Sequence, residues 1–174
     1  CYSNGLYYRI SYNLRICNVI LLMKKIKVEL EIPNENYNIE IFSDLNSFLK
    51  KICRLDIQKF VIVTDKNIKK IYKDLLEIEF KNVPIIEIEP GEKSKNIKVI
   101  DKIYQKFFKA KVSRKSIIVA FGGGVVGDIA GFASATYLRG IKLVQIPTTL
   151  LAMVDSSIGG KVGINADRKS TRLN

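Results

Sequence analysis

The feature that most constrains the fold is an alternation of short apolar runs with longer amphipathic segments. Four runs rich in β-branched residues lie at 60–64, 84–88, 116–121 and 141–146. Between them, apolar residues recur at i, i+3, i+4 and i+7, the spacing of one helix face. Continuously apolar strands that alternate with amphipathic helices predict an α/β fold, in which a parallel sheet is covered by helices on both faces.

Further elements follow from the same patterns. Two more strands are predicted over 24–32 and 37–42, separated by a turn at Pro33 and Asn34. Ser43 or Asp44 is expected to cap a first helix, Ser94 to open a third, and a buried fourth helix to run from about Val125 to Tyr137. The inward positions of the first three helices are predicted to be Leu45, Phe48, Leu49 and Ile52; Ile68, Ile71, Tyr72 and Leu75; and Ile97, Ile100, Ile103, Tyr104 and Phe107.

Composition narrows the chemistry. The 174 residues are 47% hydrophobic and 26% charged, which is typical of one globular domain. The sequence has no histidine, and this excludes Ser/His/Asp and Cys/His catalysis and zinc sites built on imidazole. Cys1, Cys17 and Cys53 are widely spaced and form no disulfide framework, so we expect a reducing compartment, the cytoplasm.

The net charge is +12, from 29 basic and 17 acidic residues, and it favours an anionic partner. Nucleic acid and anionic small molecules both fit that charge. The lysines, however, are scattered among acids along the predicted helices and form no basic stripe with interleaved aromatic residues. Solvated helix faces explain this pattern, so we expect no nucleic acid, and no apolar run reaches the roughly 18 residues of a membrane span.

The first 22 residues do not resemble the rest. The segment 16–23 is apolar but lacks the cleavage site of a signal peptide before Lys24 and Lys25. We interpret Met23 as the start of the protein and 1–22 as a non-native upstream segment. That interpretation predicts a disordered or poorly packed arm.

The most specific local motif is the glycine-rich segment 122–128 (GGGVVGD), which follows a predicted strand and opens a predicted helix. Backbone N–H groups at the positive end of a helix suit a phosphate group. Gly122, Gly124 and Gly127 match the spacing GxGxxG, but the acidic residue expected about 20 positions later is missing from 141–145 (IKLVQ). The residues alone leave open a pyrophosphate-binding turn and a tight packing turn.

Asp128 is the only ionisable residue of this apolar helix before Arg139. It is either an N-terminal cap or an acceptor for a ligand hydroxyl, and we favour the acceptor, because an unpaired buried acid is costly. Downstream, capping explains one of Thr148 and Thr149. The segment 155–161 (DSSIGGK) is either a surface turn or a site for a phosphorylated, hydroxylated anion.

In order along the chain, six segments resemble the 3-dehydroquinate synthases, sugar-phosphate cyclases of the shikimate pathway. The segments are 65–67 (DKN), 91–95 (GEKSK), 122–128 (GGGVVGD), 137–140 (YLRG), 147–157 (PTTLLAMVDSS) and 159–165 (GGKVGIN). The resemblance covers about 23–165. It implies a Rossmann-like fold and an NAD-dependent, zinc- or cobalt-requiring lyase, homodimeric at full length. That lyase converts 3-deoxy-D-arabino-heptulosonate 7-phosphate to 3-dehydroquinate and phosphate.

The resemblance also implies roles for individual residues. It implies catalytic or substrate-contacting roles for Asp155, Lys161 and Arg139, the last of which would reach the substrate phosphate across a dimer interface. It implies NAD contacts for ten residues: Asp65, Asn67, Glu92, Lys95, Gly123, Gly124, Val125, Asp128, Thr148 and Thr149. It implies no metal ligand within this chain.

The resemblance ends at Asn165. Where the family continues with His-Pro-x-Gly-Lys-Asn, this chain reads ADRKSTRLN over 166–174, which we interpret as a foreign or read-through tail. We therefore expect 23–165 to be an NAD-binding domain that lacks the family's helical metal and substrate domain and does not turn over alone. Two alternatives stay open. One is a related sugar-phosphate cyclase or a glycerol dehydrogenase-like polyol oxidoreductase, and the other is a basic nucleic-acid-binding domain.

Overall fold

A computed structural model describes residues 7–12, 24–28, 37–42, 48, 51, 59–160 and 162–165. Its strands are β1 (Tyr7–Tyr12), β2 (Lys24–Val28), β3 (Tyr37–Phe42), β4 (Phe60–Asp65), β5 (Ile85–Ile88), β6 (Ile117–Gly122) and β7 (Lys142–Pro147). Its helices are α1 (Lys66–Ile71), α2 (Lys73–Glu79), α3 (Ile97–Lys109) and α4 (Gly124–Thr136). Short 3₁₀ turns lie at Glu92–Ser94 and Tyr137–Arg139, and a π-helical turn lies at Ala152–Ser156.

The described strands form one mixed sheet in the order β2-β3-β1-β7-β6-β4-β5. The four strands β4 to β7 are parallel to one another, which confirms the predicted parallel sheet. Their bounds lie within one residue of the predicted runs. The sheet is extended by β1, β2 and β3, which pair antiparallel.

The strand β1 corrects the prediction of a poorly packed N-terminal arm. Its residues pair with β3 along their whole length, and Ile10 and Ser11 pair with Gln145 and Val144 of β7. Without β1, the backbone N–H and C=O groups along this edge of β7 would have no strand partner. The proposed domain boundary at Met23 stays a prediction, and residues 13–23 lie outside the described range.

Helices cover both faces of the sheet, as predicted. On one face, α3 and α4 pack against inward residues of β4, β5, β6 and β7, with Ile100, Ile103, Phe107, Ile129 and Ala130 at the centre. On the other face, α2 packs with the helical residue Phe48 against a second cluster that contains Phe42, Phe60, Leu76, Phe80 and Phe121. Phe48 is buried as expected, whereas the predicted cap Ser43 or Asp44 and inward positions Leu45, Leu49 and Ile52 lie outside the described residues.

The helix predictions need three corrections. The second predicted helix is broken at Tyr72, whose ψ of 28° departs from helical values, and this break leaves Ile71 69% exposed. In α3, Ile97 is 60% exposed, because it lies in the first turn, ahead of the residues that face the sheet. Ser94 does not open α3; its hydroxyl donates to the Glu89 carbonyl, and Asn96 is the cap, accepting from the Val99 N–H at 3.1 Å.

No helix among the described residues has the length and apolar character that a membrane span needs.

Candidate functional site

The topology of the sheet defines where a ligand can bind. The chain moves outward from β4 to β5 and then crosses back to β6, which lies on the other side of β4. Ligands of such sheets bind where this reversal occurs, outside the carboxyl ends of the two strands. Here those ends are Asp65 on β4 and Gly122 on β6, so the loops that follow them form the candidate site.

The glycine turn brings β6, α4 and the segment after β7 into close contact. The Thr148 N–H donates to the Gly122 carbonyl at 2.9 Å. A Cβ on Gly123 would lie 3.3 Å from Thr149 Cγ2, and a Cβ on Gly124 would lie 2.9 Å from Ser156 Oγ. These close approaches support the interpretation of the segment as a tight packing turn, and they leave pyrophosphate binding open. The turn also leaves the first N–H groups of α4 without helical partners, as at any helix N-terminus.

Buried hydroxyls surround this turn. Thr148 Oγ1 and Ser156 Oγ are buried and have no hydrogen-bond partner within the described part of the chain. The same holds for Thr64 Oγ1 near the end of β4. A buried hydroxyl without a partner is costly and rare in folded proteins. A polar ligand at the turn could supply the missing partners of Thr148 and Ser156.

Lys95 connects the loop after β5 to α4. Its Nζ lies 2.8 Å from Asp128 Oδ2 and 3.2 Å from Glu92 Oε1. Both Lys95 and Asp128 are less than one-fifth exposed. The hydrogen bond to Asp128 is the main cause that raises the pKa of Lys95 above its ordinary value, so the amine stays charged at neutral pH.

Asp128 is not an N-terminal cap. The first turn of α4 contains no acidic residue, and Asp128 lies in the second turn. The partly buried carboxylate has the partner that its surroundings require, and that partner is Lys95. Its predicted contact with a ligand hydroxyl stays a prediction.

Glu92 borders an open cleft of about 410 Å³ with Lys93, Lys95, Lys98 and Asn165. Its carboxylate accepts from Asn165 Nδ2 at 3.1 Å. This hydrogen bond, more than the charge of Lys95, lowers the pKa of Glu92. The cleft thus brings three lysines and one carboxylate together beside the start of α3, and Lys95 links it to α4.

Asp65 ends β4, the strand next to β6, and Asn67 follows in the first turn of α1. Asp65 Oδ1 accepts from the backbone N–H groups of Asn67 and Ile68 at 2.8 and 2.9 Å, so this carboxylate caps α1. The Asn67 side chain is exposed. The structure thus gives Asp65 a structural role and places both residues at the expected edge.

The predicted residues after β7 also include one with a structural contact and one that is exposed. Thr149 Oγ1 accepts from the Ala152 N–H at 3.3 Å and so contacts the first residue of the π-helical turn, whose own N-cap position is Leu151. Asp155 is exposed on that turn, beside Ser156. Lys161 lies outside the described residues.

Arg139 lies near the amino-terminal end of β7, whereas the glycine turn lies at the carboxyl end of β6. It follows α4 and precedes β7, whereas the glycine turn precedes α4, so the length of the helix separates them. Arg139 and its neighbour Leu138 have φ values of 66° and 49°, a left-handed conformation that non-glycine residues rarely adopt. Within one chain, the structure does not bring Arg139 to the other predicted residues.

Two residues of the site had no role in the sequence prediction. Ser156 contacts Gly124, and Asn165 contacts Glu92. Both belong to the segments quoted for the resemblance, but nothing in their spacing shows which residues they contact. The described residues contain no group of three or more His, Cys, Asp or Glu side chains that could hold a metal ion.

Comparison with known proteins places this geometry in a family. Residues 85–172 match the family model described as 3-dehydroquinate synthase N-terminal. The 3-dehydroquinate synthase of Clostridium kluyveri is 43% identical over 145 residues, 79% of this chain and 40% of that protein. That of Leptospira interrogans is 46% identical over 143 residues, 80% of this chain and 40% of that protein. The chain spans about 40% of the length of these relatives.

Solved structures of related cyclases share the fold. A 2-deoxy-scyllo-inosose synthase complexed with carbaglucose-6-phosphate, NAD⁺ and Co²⁺ is 26% identical, with a TM-score of 0.60 over 68% of this chain and 35% of that one. The 2-epi-5-epi-valiolone synthase from Streptomyces hygroscopicus, with NAD⁺ and Zn²⁺ bound, is 29% identical, with a TM-score of 0.58 over 66% of this chain and 33% of that one. Both are similar to the described α/β sheet. The chain belongs to the 3-dehydroquinate synthase family, in the part that forms its N-terminal domain.

Proposed function

We propose that this chain is the NAD-binding part of a 3-dehydroquinate synthase. In the proposed reaction, 3-deoxy-D-arabino-heptulosonate 7-phosphate is converted to 3-dehydroquinate and phosphate in the shikimate pathway, in the cytoplasm. The observation that carries the proposal is the glycine turn beside the Lys95–Asp128 ion pair. There the N-terminus of α4 meets two buried hydroxyls that have no partner among the described residues.

The residues present fit a dinucleotide. Gly123 and Gly124 allow close approach of an anionic diphosphate to the first N–H groups of α4. Thr148 and Ser156 offer hydroxyls that have no partner among the described residues. Lys95 adds a positive charge, while Glu92 and Asp128 can accept from ribose hydroxyls.

When bound, NAD would supply reversible hydride transfer to and from the substrate carbon that bears a ring hydroxyl, while the hydroxyl loses and regains its proton. The part of the chain described here would bind and orient that group. The glycine turn, at the end of a buried strand, would hold the nucleotide in one position. A fixed position matters because a hydride donor and acceptor react only in a narrow range of geometries. The described residues do not fit a metal site, so no step through a metal is derived from them.

The degree of identity favours this substrate over that of a sister cyclase. The curated 3-dehydroquinate synthases are 43% and 46% identical, compared with 26% and 29% for the two related cyclases of known structure. A related cyclase or a polyol oxidoreductase would bind the same nucleotide but differ in substrate. Measuring phosphate release from each candidate substrate, with a full-length protein that carries this domain, therefore distinguishes the three activities.

Titration calorimetry of the 174-residue chain with NAD⁺ tests the proposal. We expect saturable heat for the wild type and at least tenfold weaker binding for Gly124→Val, because the added side chain would occupy the space between the turn and Ser156. Gly163→Ala is the matched control, since no atom lies within 4 Å of its added Cβ. No heat from folded wild type, together with salt-dependent binding of DNA or RNA, would support a basic nucleic-acid-binding domain instead.

A further inference from the structure

Asn165 makes three backbone or side-chain contacts with the loop that carries Lys95. Its side-chain Nδ2 donates to Glu92 Oε1 at 3.1 Å. Its backbone N–H donates to the Lys95 carbonyl at 2.7 Å, and Asn165 and Asn96 form a parallel β-bridge. This residue therefore ties the segment 162–165 to the turn Glu92–Ser94 and to the start of α3.

The contacts continue from Asn165 into the glycine site. Glu92 Oε1 accepts from the Asn165 amide and also lies 3.2 Å from Lys95 Nζ. Lys95 in turn reaches Asp128 on α4. The chain of contacts Asn165, Glu92, Lys95 and Asp128 crosses three separate segments and ends one turn after the start of α4.

Glu92 is the weakest part of this chain of contacts. Its side chain is 61% exposed, so solvent competes for the carboxylate, and its partner within the loop is the Lys95 amine. The other charged groups around it are Lys93 and Lys98 at the cleft and Asp128 beyond Lys95. An amide donor has a fixed direction and selects one orientation of the carboxylate, whereas an ammonium group with three rotatable donors accepts several.

We infer that Asn165 is a positioning residue, which holds Glu92 and, through it, Lys95 in the orientation that receives the nucleotide. This inference rests on the proposed function. It predicts that removing the amide weakens nucleotide binding, because Glu92 and Lys95 lose a contact that orients them. It also predicts that the carboxylate of Glu92 becomes easier to protonate.

Two measurements on the full chain test the inference. Carbon-13 NMR of the Glu92 carboxyl, without nucleotide, follows its pKa in wild type, Asn165→Ala and Asn165→Asp. We expect the pKa to rise toward the ordinary value in the alanine variant. It should rise further in the aspartate variant, where a negatively charged carboxylate replaces the amide and faces Glu92. Asn82→Ala, on an exposed turn at the other edge of the sheet, should leave it unchanged.

Calorimetry with NAD⁺ between pH 4 and 8 supplies the second measurement. At pH 7.5 we expect binding to Asn165→Ala to be about three- to tenfold weaker, as for the loss of one ordering hydrogen bond. The acid midpoint of the affinity should move upward with the Glu92 pKa. Circular dichroism confirms that each variant is folded, and the near-isosteric Asn165→Asp serves if the alanine variant is not.

The outcomes separate the two proposals. An unchanged Glu92 pKa in Asn165→Ala overturns the inference whatever the nucleotide does. A shifted pKa with unchanged NAD⁺ affinity and pH profile overturns the positioning role but leaves the proposed function intact. If folded wild type binds no NAD⁺, the proposed function fails, and the inference fails with it.

Discussion

At the scale of single residues, Asp128 shows how burial decides what a charged side chain does. The helix around it is almost wholly apolar, so its carboxylate had to find a partner or lose its charge. The sequence shows that need but not the partner, because Lys95 lies on a different loop. Tertiary packing brought the two within 2.8 Å.

Replacement of Asp128 by asparagine tests the ion pair. The pKa of Lys95 is raised in the folded chain, so its pairing stabilises the fold at pH values below the ordinary lysine pKa and is lost as pH rises through the raised value. At pH 7 we expect Asp128→Asn to lower the free energy of unfolding by about 1–3 kcal/mol. Urea unfolding measures this change, and the difference from wild type should shrink at strongly alkaline pH.

Asp101→Asn is the control for that measurement. Asp101 is exposed on α3, and among the described residues its carboxylate accepts from Gln105 alone, one turn away, so its replacement should change stability by less than about 0.5 kcal/mol. A loss at Asp128 that is equal at neutral and strongly alkaline pH would contradict a contribution from the charge of Lys95.

At the scale of elements, α3 offers two isoleucines in one helix with opposite surroundings. Ile100 is fully buried and Ile97 is 60% exposed. We expect Ile100→Ala to lower the free energy of unfolding by about 2–5 kcal/mol, through lost transfer free energy and the cavity left behind. Ile97→Ala should change it by less than about 0.5 kcal/mol. Chemical denaturation of both variants checks this, and equal losses would show that α3 is rotated relative to the sheet.

The helix α4 uses small residues where other segments cross it. A Cβ on Gly127 would lie 2.7 Å from Gln145 Oε1, and a Cβ on Gly131 would overlap the Val162 side chain. Val162 belongs to the same segment as Asn165, so this contact holds that segment against α4. Glycine in a helix interior costs about 1 kcal/mol relative to alanine, and close packing here offsets that cost.

A double-mutant cycle at Gly131 and Val162 tests that packing. In wild type, Gly131→Ala should destabilise the chain, because the new methyl group overlaps Val162. In a Val162→Ala background the same change should be neutral or stabilising by up to about 1 kcal/mol, as helix propensity then prevails. Thermal unfolding of the four proteins gives the coupling free energy, which we expect to be about 1–3 kcal/mol. Additive effects would mean that the two residues do not touch.

The sequence predicted the parallel strands better than the ends of the helices. Four apolar runs gave the parallel strands within one residue, because a run that is buried on both faces has few other places to lie. Helix periodicity found the inward side chains Ile100, Ile103 and Phe107. It failed at Ile71 and Ile97, which lie at helix ends, where a break or a first turn removes a residue from the packed face.

At the scale of the whole molecule, the order of the strands assembles the candidate site. The loops after β4, β5, β6 and β7 are far apart in the sequence, yet all leave the same edge of the sheet. Arg139 follows a helix and not a strand, so it lies at the other edge. A role for Arg139 at this site would therefore require a second copy of the chain.

The 174-residue chain should bind NAD⁺ without turning over substrate. Its sequence has no histidine, and its described residues hold no group of three metal donors. We expect no phosphate release from 3-deoxy-D-arabino-heptulosonate 7-phosphate in the presence of NAD⁺ and Zn²⁺ or Co²⁺, measured with a colorimetric phosphate assay. A full-length relative assayed under the same conditions is the positive control. Release above the enzyme-free rate by this chain would contradict the need for further residues.

The sequence by itself determined the fold class, the parallel strands and the family, because burial on both faces and a glycine turn leave a pattern that is local in the chain. Only the tertiary structure decided which charges pair, which hydroxyls lack partners and that β1 completes the edge of β7. Those features depend on distances between segments that are remote along the chain. The types and spacing of residues do not give such distances. The packing of the helices on the sheet sets them.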